Sequence, residues 1–418
     1  MAFILDKDDI DIEQIKKKFN DEINSLNELD YNFFKNKNFF YYLEKKNPEE
    51  AKEFLNVYNE NLRNFALEAE KIFPIKNLCL LKTGEEYKEV VLTRKEAALI
   101  FLLSFFELID IKGNYNTNTN YFIVSNILYC KNRTNFEFGR CFVNYLTIIG
   151  KWLKENDPIL EEEITYIRHN IKKIDEDKKD VNFCEINIIK EGSLFDGKAE
   201  YCIDFANKYI GGGVLNGGCV QEEILFAIEP EAIVSMLFME VMNENDAIGI
   251  FNTIQYSKYK GYGSSFKFVE SAITQDKSQI KKHKIIAIDA IPYSYSYNYY
   301  SFQKDIKRDI HKAYVGFNLT KYKKNIEKTI ATGNWGCGAF GGNHELKFIQ
   351  QWIAASLAGV KRLDYYTFGE KEMERIDEKC CNEIKSKYQT ANQLYDFIIN
   401  NKKINNDYII ISLLKDNK

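Results

Sequence analysis

The sequence predicts an α/β protein: a mixed sheet flanked by helices, preceded by a mostly helical accessory region. Three observations carry this. Beyond residue 180, short β-like runs alternate with helical patterns. Before it, apolar residues recur at helical spacing. Ten of the 22 glycines fall within 18 positions, where an even spread would put about one, and both clusters lie between a β-like run and a helical one.

The helical part reads from about residue 10 to residue 169. Residues 29–64 carry Phe33, Phe34, Phe39, Phe40, Tyr41, Tyr42, Phe54 and Tyr58, with Asn47-Pro48-Glu49-Glu50 as a helix start. Such an aromatic stripe is packed core rather than a cofactor site. Thr93-Arg94-Lys95-Glu96 is a capping box opening a helix over 97–108. Residues 136–156 form an amphipathic helix closed by Asn156-Asp157-Pro158. The charged stretch 172–180 then divides the chain into a helical accessory domain, 1–180, and a sheet-containing domain, 181–418. In the second, β-like runs fall at 183–189, 201–205, 247–252, 284–291, 329–332 and 363–368. Helical patterns fall at 222–242, 304–314 and 344–358.

Composition narrows the function. With 418 residues, 45% hydrophobic, the chain can bury more than one core. Lys+Arg 57 against Asp+Glu 61 gives a net charge of -4, so an anionic partner needs a local site rather than bulk attraction. Surface Lys and Asn are so abundant that they carry no functional weight. Nine scattered cysteines without a C-x-x-C pair argue against a disulfide framework and a structural zinc. The start turns acidic by Asp6, unlike a secretory leader, and the longest apolar stretch, 97–108, is too short to span a bilayer. A reducing, intracellular setting, nuclear or cytoplasmic, is expected.

Glycine costs conformational entropy, so its clustering needs a reason: positive φ, or close approach of another group to bare backbone. The first cluster is Gly211, Gly212, Gly213, Gly217 and Gly218; the second is Gly333, Gly336, Gly338, Gly341 and Gly342. Loops placed before helices in this way can cradle phosphate with successive N–H groups. A pair of tight turns is the blander reading, and two such loops make it the weaker one. No G-x-x-x-x-G-K-[ST] occurs, which excludes a P-loop. Gly336-Cys337-Gly338-Ala339-Phe340-Gly341 is a literal G-x-G-x-x-G, but the acidic residue a dinucleotide fold wants at the end of the next strand is misplaced: Asp364 starts that strand and Glu370 comes late. The first cluster ends instead in Gln221-Glu222-Glu223. Acids favour a helix N-terminus, yet beside an anion cradle they would repel the ligand unless they have chemical work. Adjacent helical residues point about 100° apart, so the two glutamates have separate roles.

These residues resemble the poly(ADP-ribose) glycohydrolase family. Its signature of three glycines, a spacer and Gln-Glu-Glu is matched by Gly211-Gly212-Gly213 and Gln221-Glu222-Glu223. Asp204-Phe205-Ala206-Asn207, Gln255-Tyr256-Ser257 with Tyr259 and Gly261-Tyr262, the run 331–342 and Tyr366-Thr367-Phe368-Gly369 match in order. The helical part resembles the family's accessory domain more loosely. Asn343 departs from the usual Asp, though Asn caps a helix about as well.

The resemblance implies a macrodomain fold, with ADP-ribose lying across the loops at the strand ends. It also implies hydrolysis of ribose–ribose O-glycosidic bonds in poly(ADP-ribose), mainly from the chain end, without metal or cofactor. The partners implied are poly(ADP-ribose) on modified proteins and the product ADP-ribose; neither a membrane nor sequence-specific nucleic acid is expected. Glu223 would be the general acid and base, Glu222 would hold ribose hydroxyls, and Asn207 would help fix the sugar. N–H groups of Gly211, Gly212, Gly213, Val214, Gly338, Ala339 and Phe340 would carry the diphosphate. Tyr262 would stack on adenine, with Gln221 and Leu194 at its edge, and Phe340 and Phe368 would wall the terminal ribose. Cleavage needs a proton for the leaving oxygen, which a buried carboxyl beside another acid can hold. Two alternatives remain at this point: a non-catalytic ADP-ribose reader, which has no need of the Glu pair, and a Rossmann-type NAD enzyme, which leaves that pair unexplained.

Overall fold

The computed structural model describes Phe34 and residues 37–72, 78–108, 118–175, 180–274, 276–293, 299–322, 327–400 and 409–414. The helical reading of residues 10–33 and part of the charged boundary, 176–179, lie outside the described residues. The helical part opens with α1 (Asn38–Lys46) and α2 (Pro48–Val57). Pro48 begins α2 where a missing N–H costs nothing, and Glu49 and Glu50 meet the positive end of its dipole. A π turn, Tyr58–Leu62, leads to α3 (Arg63–Leu67) and α4 (Ala69–Ile72). Phe34, Phe39, Phe40 and Phe54 pack ring against ring beneath α1 and α2, so the aromatic stripe is core.

Strand β1 (Tyr87–Thr93) runs straight into α5 (Arg94–Phe105). The capping box forms as expected: Glu96 N–H donates to Thr93 Oγ1 (3.1 Å) and Thr93 N–H to Glu96 Oε2 (2.7 Å). Helix α6 (Arg133–Glu155) is capped by Asn132 and stopped by Asn156, which adopts φ 50 ahead of Pro158. Strand β2 (Glu163–Asn170) pairs antiparallel with β1, Tyr87 opposite His169. The sequence reading leaves both segments in the helical part. They are strands seven and eight residues long wedged against helices, too short for their period of two to stand out.

The chain continues through β3 (Glu185–Ile189), β4 (Tyr201–Ala206), α7 (Gln221–Ile228), β5 (Asp246–Ile254) and a hairpin, β6 (Ser257–Lys260) with β7 (Lys267–Ser271). Then come β8 (Lys282–Asp289), α8 (Tyr299–Asn318), β9 (Thr329–Gly333), α9 (His344–Ala358), β10 (Arg362–Tyr366) and the closing helices α10 (Glu378–Tyr388), α11 (Ala391–Asn400) and α12 (Ile409–Leu414). Among the described residues eight strands make one mixed sheet, ordered β1-β2-β5-β8-β4-β9-β10-β3. The first four pair antiparallel, and β8, β4, β9, β10 and β3 pair parallel.

Period-two alternation gives the central strands two buried faces, while the edge strands β1 and β3 are partly exposed. On β8, Ile285 and Ala287 pack toward the layer containing α5, α6 and α7, while Ile286 and Ile288 pack toward α8 and α9. The helical part is tied to the sheet by a buried ion pair, Arg94 with Glu231 (2.6 Å). Arg94 also donates to the Asn252 carbonyl (3.1 Å), and Glu231 accepts Ile254 N–H (3.0 Å). Such a pair is costly to break from one side, because the partner is left as a buried lone charge.

One break in the sheet positions the site. β4 and β9 pair only at Tyr201–Ile330 and Cys202–Ala331. Beyond these residues they separate, the chain after β4 entering α7 in one layer and the chain after β9 entering α9 in the other. A crevice therefore opens at the carboxyl ends of two parallel strands, where connections leave in opposite directions.

Candidate active site

The crevice is a cleft of about 720 Å³ lined by the ends of β4 and β9, the start of α7, and the loops around 192–195, 259–262, 334–340 and 368–370. Gln221 completes the strand where β9 has parted from it. Its Oε1 accepts Phe205 N–H (2.7 Å) and its Nε2 donates to the Ile203 carbonyl (3.1 Å), two groups a neighbouring strand would otherwise satisfy.

The two glutamates grip the first glycine loop from inside. Glu222 accepts N–H bonds from Asn207 (2.8 Å) and Gly211 (2.7 Å). Glu223 accepts them from Gly213 (2.9 Å) and from Val220 (2.8 Å), the last being the helix-capping contact. A Cβ on Gly212 would stand 2.6 Å from a carboxylate oxygen of each glutamate, and one on Gly218 would stand 2.8 Å from Glu223. Gly211 and Gly212 also have φ of 84° and 49°. Gly212 and Gly218 are glycines because carboxylates lie against their backbone, and Gly211 because Met236 does.

Beneath the pair, Asp204 on β4 is fully buried, and neither of its carboxylate oxygens has a hydrogen-bond partner. Among the described residues no Lys, Arg or His forms an ion pair with Asp204, Glu222 or Glu223. Burial, and then the negative charges of Asp204 and Glu223, push the Glu222 carboxyl well above the usual range against the pull of its two N–H donors. Burial, then the charge of Glu223, does the same to Asp204. Asp204 and Glu222 therefore hold protons where isolated carboxyls would have lost them.

The second glycine loop is different. Gly338 has open space where a Cβ would stand, and the N–H groups of Gly338, Ala339 and Phe340 have no acceptor among the described residues. Two of the larger exposed apolar side chains, Tyr262 (59% exposed) and Phe368 (45%), stand at the rim of this same cleft. Phe368 holds φ 54, unusual for an aromatic residue, and Gly333 makes room for it: a Cβ there would meet its ring at 2.8 Å. Exposed rings beside open N–H groups and buried acids suit a ligand with a planar part, an anionic part and a bond to be protonated.

Two family descriptions match the chain: poly(ADP-ribose) glycohydrolase, macro domain fold, over residues 172–375, and the helical domain of the same enzyme, over residues 46–168. The chain belongs to the poly(ADP-ribose) glycohydrolase family. A probable poly(ADP-ribose) glycohydrolase 2 from Arabidopsis thaliana is 30% identical over 285 residues, 57% of this chain and 54% of that relative. Poly(ADP-ribose) glycohydrolase 1 from Caenorhabditis elegans is 36% identical over 237 residues, 54% of this chain and 30% of that relative. The chain thus spans about half, or less, of the curated relatives it matches. A crystal structure of the Thermomonospora curvata glycohydrolase aligns at TM-score 0.34 and 13% identity, over 46% of this chain and 74% of that one.

Within this glycohydrolase-family fold, Leu194, Asn207, Gln221, Glu222, Glu223, Tyr262, Gly338, Ala339, Phe340 and Phe368 all line the cleft. Gly211, Gly212, Gly213 and Val214 stand behind it, and here the structure departs from the sequence reading. Their N–H groups, expected to carry a diphosphate, are engaged with Glu222, the Tyr209 carbonyl (3.1 Å), Glu223 and the Gly211 carbonyl (3.1 Å) respectively. The Gln221 amide, expected at the adenine edge, has both atoms on β4. Asn343 caps α9 as anticipated, accepting Leu346 N–H at 2.9 Å. The dinucleotide alternative falls with the family assignment and with Asp364, whose carboxylate is occupied by Arg362 (2.8 Å) and Asn187 (3.1 Å). The family reading gave no site role to Asp204, Phe205 or Trp335, though all three lie in matched motifs, nor to His344 or Glu370. Asp204 carries a signal in hindsight, an acid inside the apolar run Tyr201–Ala206.

Among the described residues no three His, Cys, Asp or Glu side chains gather where they could hold a metal ion, and no helix is long and apolar enough to cross a membrane.

Proposed function

We propose that this chain hydrolyses the ribose–ribose O-glycosidic bonds of poly(ADP-ribose), working from the chain end and releasing ADP-ribose. The observation that carries the reading is the pair of buried carboxylates at the cleft, each fixed by two backbone N–H groups and neither paired with a cation. Glycoside cleavage passes through an oxocarbenium-like state and needs a proton on the leaving oxygen. Glu223 is the more exposed of the two (7% against 2%) and serves as that acid. As the bond to the anomeric carbon breaks, its proton passes to the leaving ribose oxygen. The carboxylate then takes a proton from the water that attacks the cation, which restores the acid. Burial first, and then mutual repulsion, raises the Asp204 and Glu222 carboxyls, so the acids packed beside Glu223 keep their protons above the ordinary carboxylate range. The carboxylate that Glu223 becomes as it gives up its proton also favours the cationic transition state.

Glu222, deeper and held by two donors, orients ribose hydroxyls, and Asn207 flanks the sugar. Tyr262 stacks on adenine and Phe368 with Phe340 walls the terminal ribose. The diphosphate is assigned to the open N–H groups of Gly338, Ala339 and Phe340, while 211–214 hold the glutamates in place. Nine free cysteines suit a reducing cellular interior.

Product analysis after incubation with purified poly(ADP-ribose) tests the reading, with Glu223→Gln in parallel. Free ADP-ribose from the wild type alone supports both the activity and its acid. Retained polymer with intact ADP-ribose binding would make the protein a reader instead.

A further inference from the structure

A second cavity, a groove of about 650 Å³, lies between the end of α1, the start of α6 and the hairpin strand β7. Its lining includes five cationic side chains and a single acid, Glu137. That acid is already occupied, accepting Arg140 (3.2 Å) and Phe268 N–H (3.0 Å), and Arg140 is further paired with Glu50 (2.9 Å). The other four, Lys46, Lys131, Arg133 and Lys267, are exposed and form no ion pair with an acid among the described residues. Lys46 is held over the ring of Phe136 (5.0 Å), which forms part of the wall. In a chain with slightly more acids than bases, four unneutralised cations facing one groove are a local excess that composition does not supply. The start of the 23-residue helix α6 adds its positive dipole end to the same place.

The groove also borders the catalytic loop. Asn132, in its lining, stands 2.9 Å from the Cβ position of Gly217, and the next residue, Gly218, packs on Glu223. On the other side, Lys267 follows the turn that carries Tyr262. Groove and cleft therefore lie on two sides of one glycine loop. We propose that the groove is a second anion subsite, which takes the diphosphate of an ADP-ribose unit beyond the last two of the chain while the polymer's end occupies the cleft. The inference rests on the reading of the cleft given above. It makes long chains better substrates than short ones, because a short chain has no unit to place there.

The test is Lys131→Glu/Arg133→Glu in the full chain. Both side chains are exposed, and glutamate at the first position of α6 favours that helix, so folding is retained. The KM for long poly(ADP-ribose) is expected to rise about tenfold, with kcat, the KM for a two-unit substrate and the affinity for ADP-ribose unchanged. The wild-type preference for long chains should shrink as salt is raised. An unchanged long-chain KM would overturn the proposal. So would equal competition by single-stranded DNA of matched length, which would make the groove an unselective polyanion surface. If the wild type neither cleaves polymer nor binds ADP-ribose, the cleft reading fails on its own. Direct binding of long polymer to wild type and double variant still decides the groove.

Discussion

The two glycine loops look alike in sequence and do opposite things. Each has five glycines at or after the end of a parallel strand and before a helix, yet 211–218 closes around two carboxylates of its own chain while 333–342 leaves three N–H groups open. Their electrostatic surroundings differ as well. The first overlies three acids without a cation, whereas Gly336 and Gly342 lie against Lys347, a cation neutralised by buried Asp309. Glycine clustering thus reports close approach to backbone without saying what approaches. In one loop it is a pair of the chain's own carboxylates, in the other open space at Gly338.

The largest expected effect separates chemistry from binding. Glu223→Gln keeps the shape of the side chain and one acceptor for a loop N–H but cannot give or take the proton. Turnover should fall by about 10²–10⁴-fold, the usual worth of a positioned acid–base group. ADP-ribose affinity, read by calorimetry, should move only a few-fold. Unchanged turnover would remove Glu223 from its role and leave the first loop with no catalytic meaning.

Next comes the direct contrast between loops. Gly212→Ala puts a Cβ 2.6 Å from both glutamates at a φ of 49°. The left-handed conformation alone costs about 1–2 kcal/mol, and the contact raises the loss to about 2–4 kcal/mol. Gly338→Ala meets no atom within 4 Å. It should change stability by no more than about 1 kcal/mol, in the stabilising direction, while lowering ADP-ribose affinity if that loop carries the diphosphate. Denaturant titration of the two variants decides the matter. Equal losses would mean that the loops are built alike after all.

Much of this was legible in the sequence, for reasons particular residues show. Six strand positions and the start of α9 at His344 follow from apolar runs and turn residues, and the glycine clusters mark one wall of the cleft and the loop behind the other. Strands β1 and β2 were not legible, because seven or eight residues next to strong helix signals give too little period. The separation of β4 from β9 after Cys202 was not either, since where two distant strands stop pairing is a tertiary outcome. It is that separation which gives Gln221 its task on β4 and opens the cleft. The N–H groups of Gly211–Val214, expected to carry a diphosphate, already have acceptors within the chain: sequence shows that backbone is bare, not which group fills the space.

The smallest expected effect tests the charge contrast. Asp204 is buried without a hydrogen-bond partner, and its folded-state pKa is raised by burial and by Glu223, so the folded protein binds a proton that the unfolded chain releases near pH 4. Stability from this group is full below the unfolded pKa and is lost as pH rises through the folded one, at up to about 1 kcal/mol per pH unit. Asp204→Asn keeps the shape and removes the titration. Its melting temperature should decline less between pH 5 and pH 8 than that of the wild type, with the other raised groups, Glu222, Glu231, Glu50 and His283, supplying the slope that remains. The matching change beside the second loop, Asp309→Asn, breaks the pair with Lys347 and should lower stability without removing any such decline. A decline that survives Asp204→Asn in full would place the uncompensated charge elsewhere, and the electrostatic half of the contrast between the loops would fall with it.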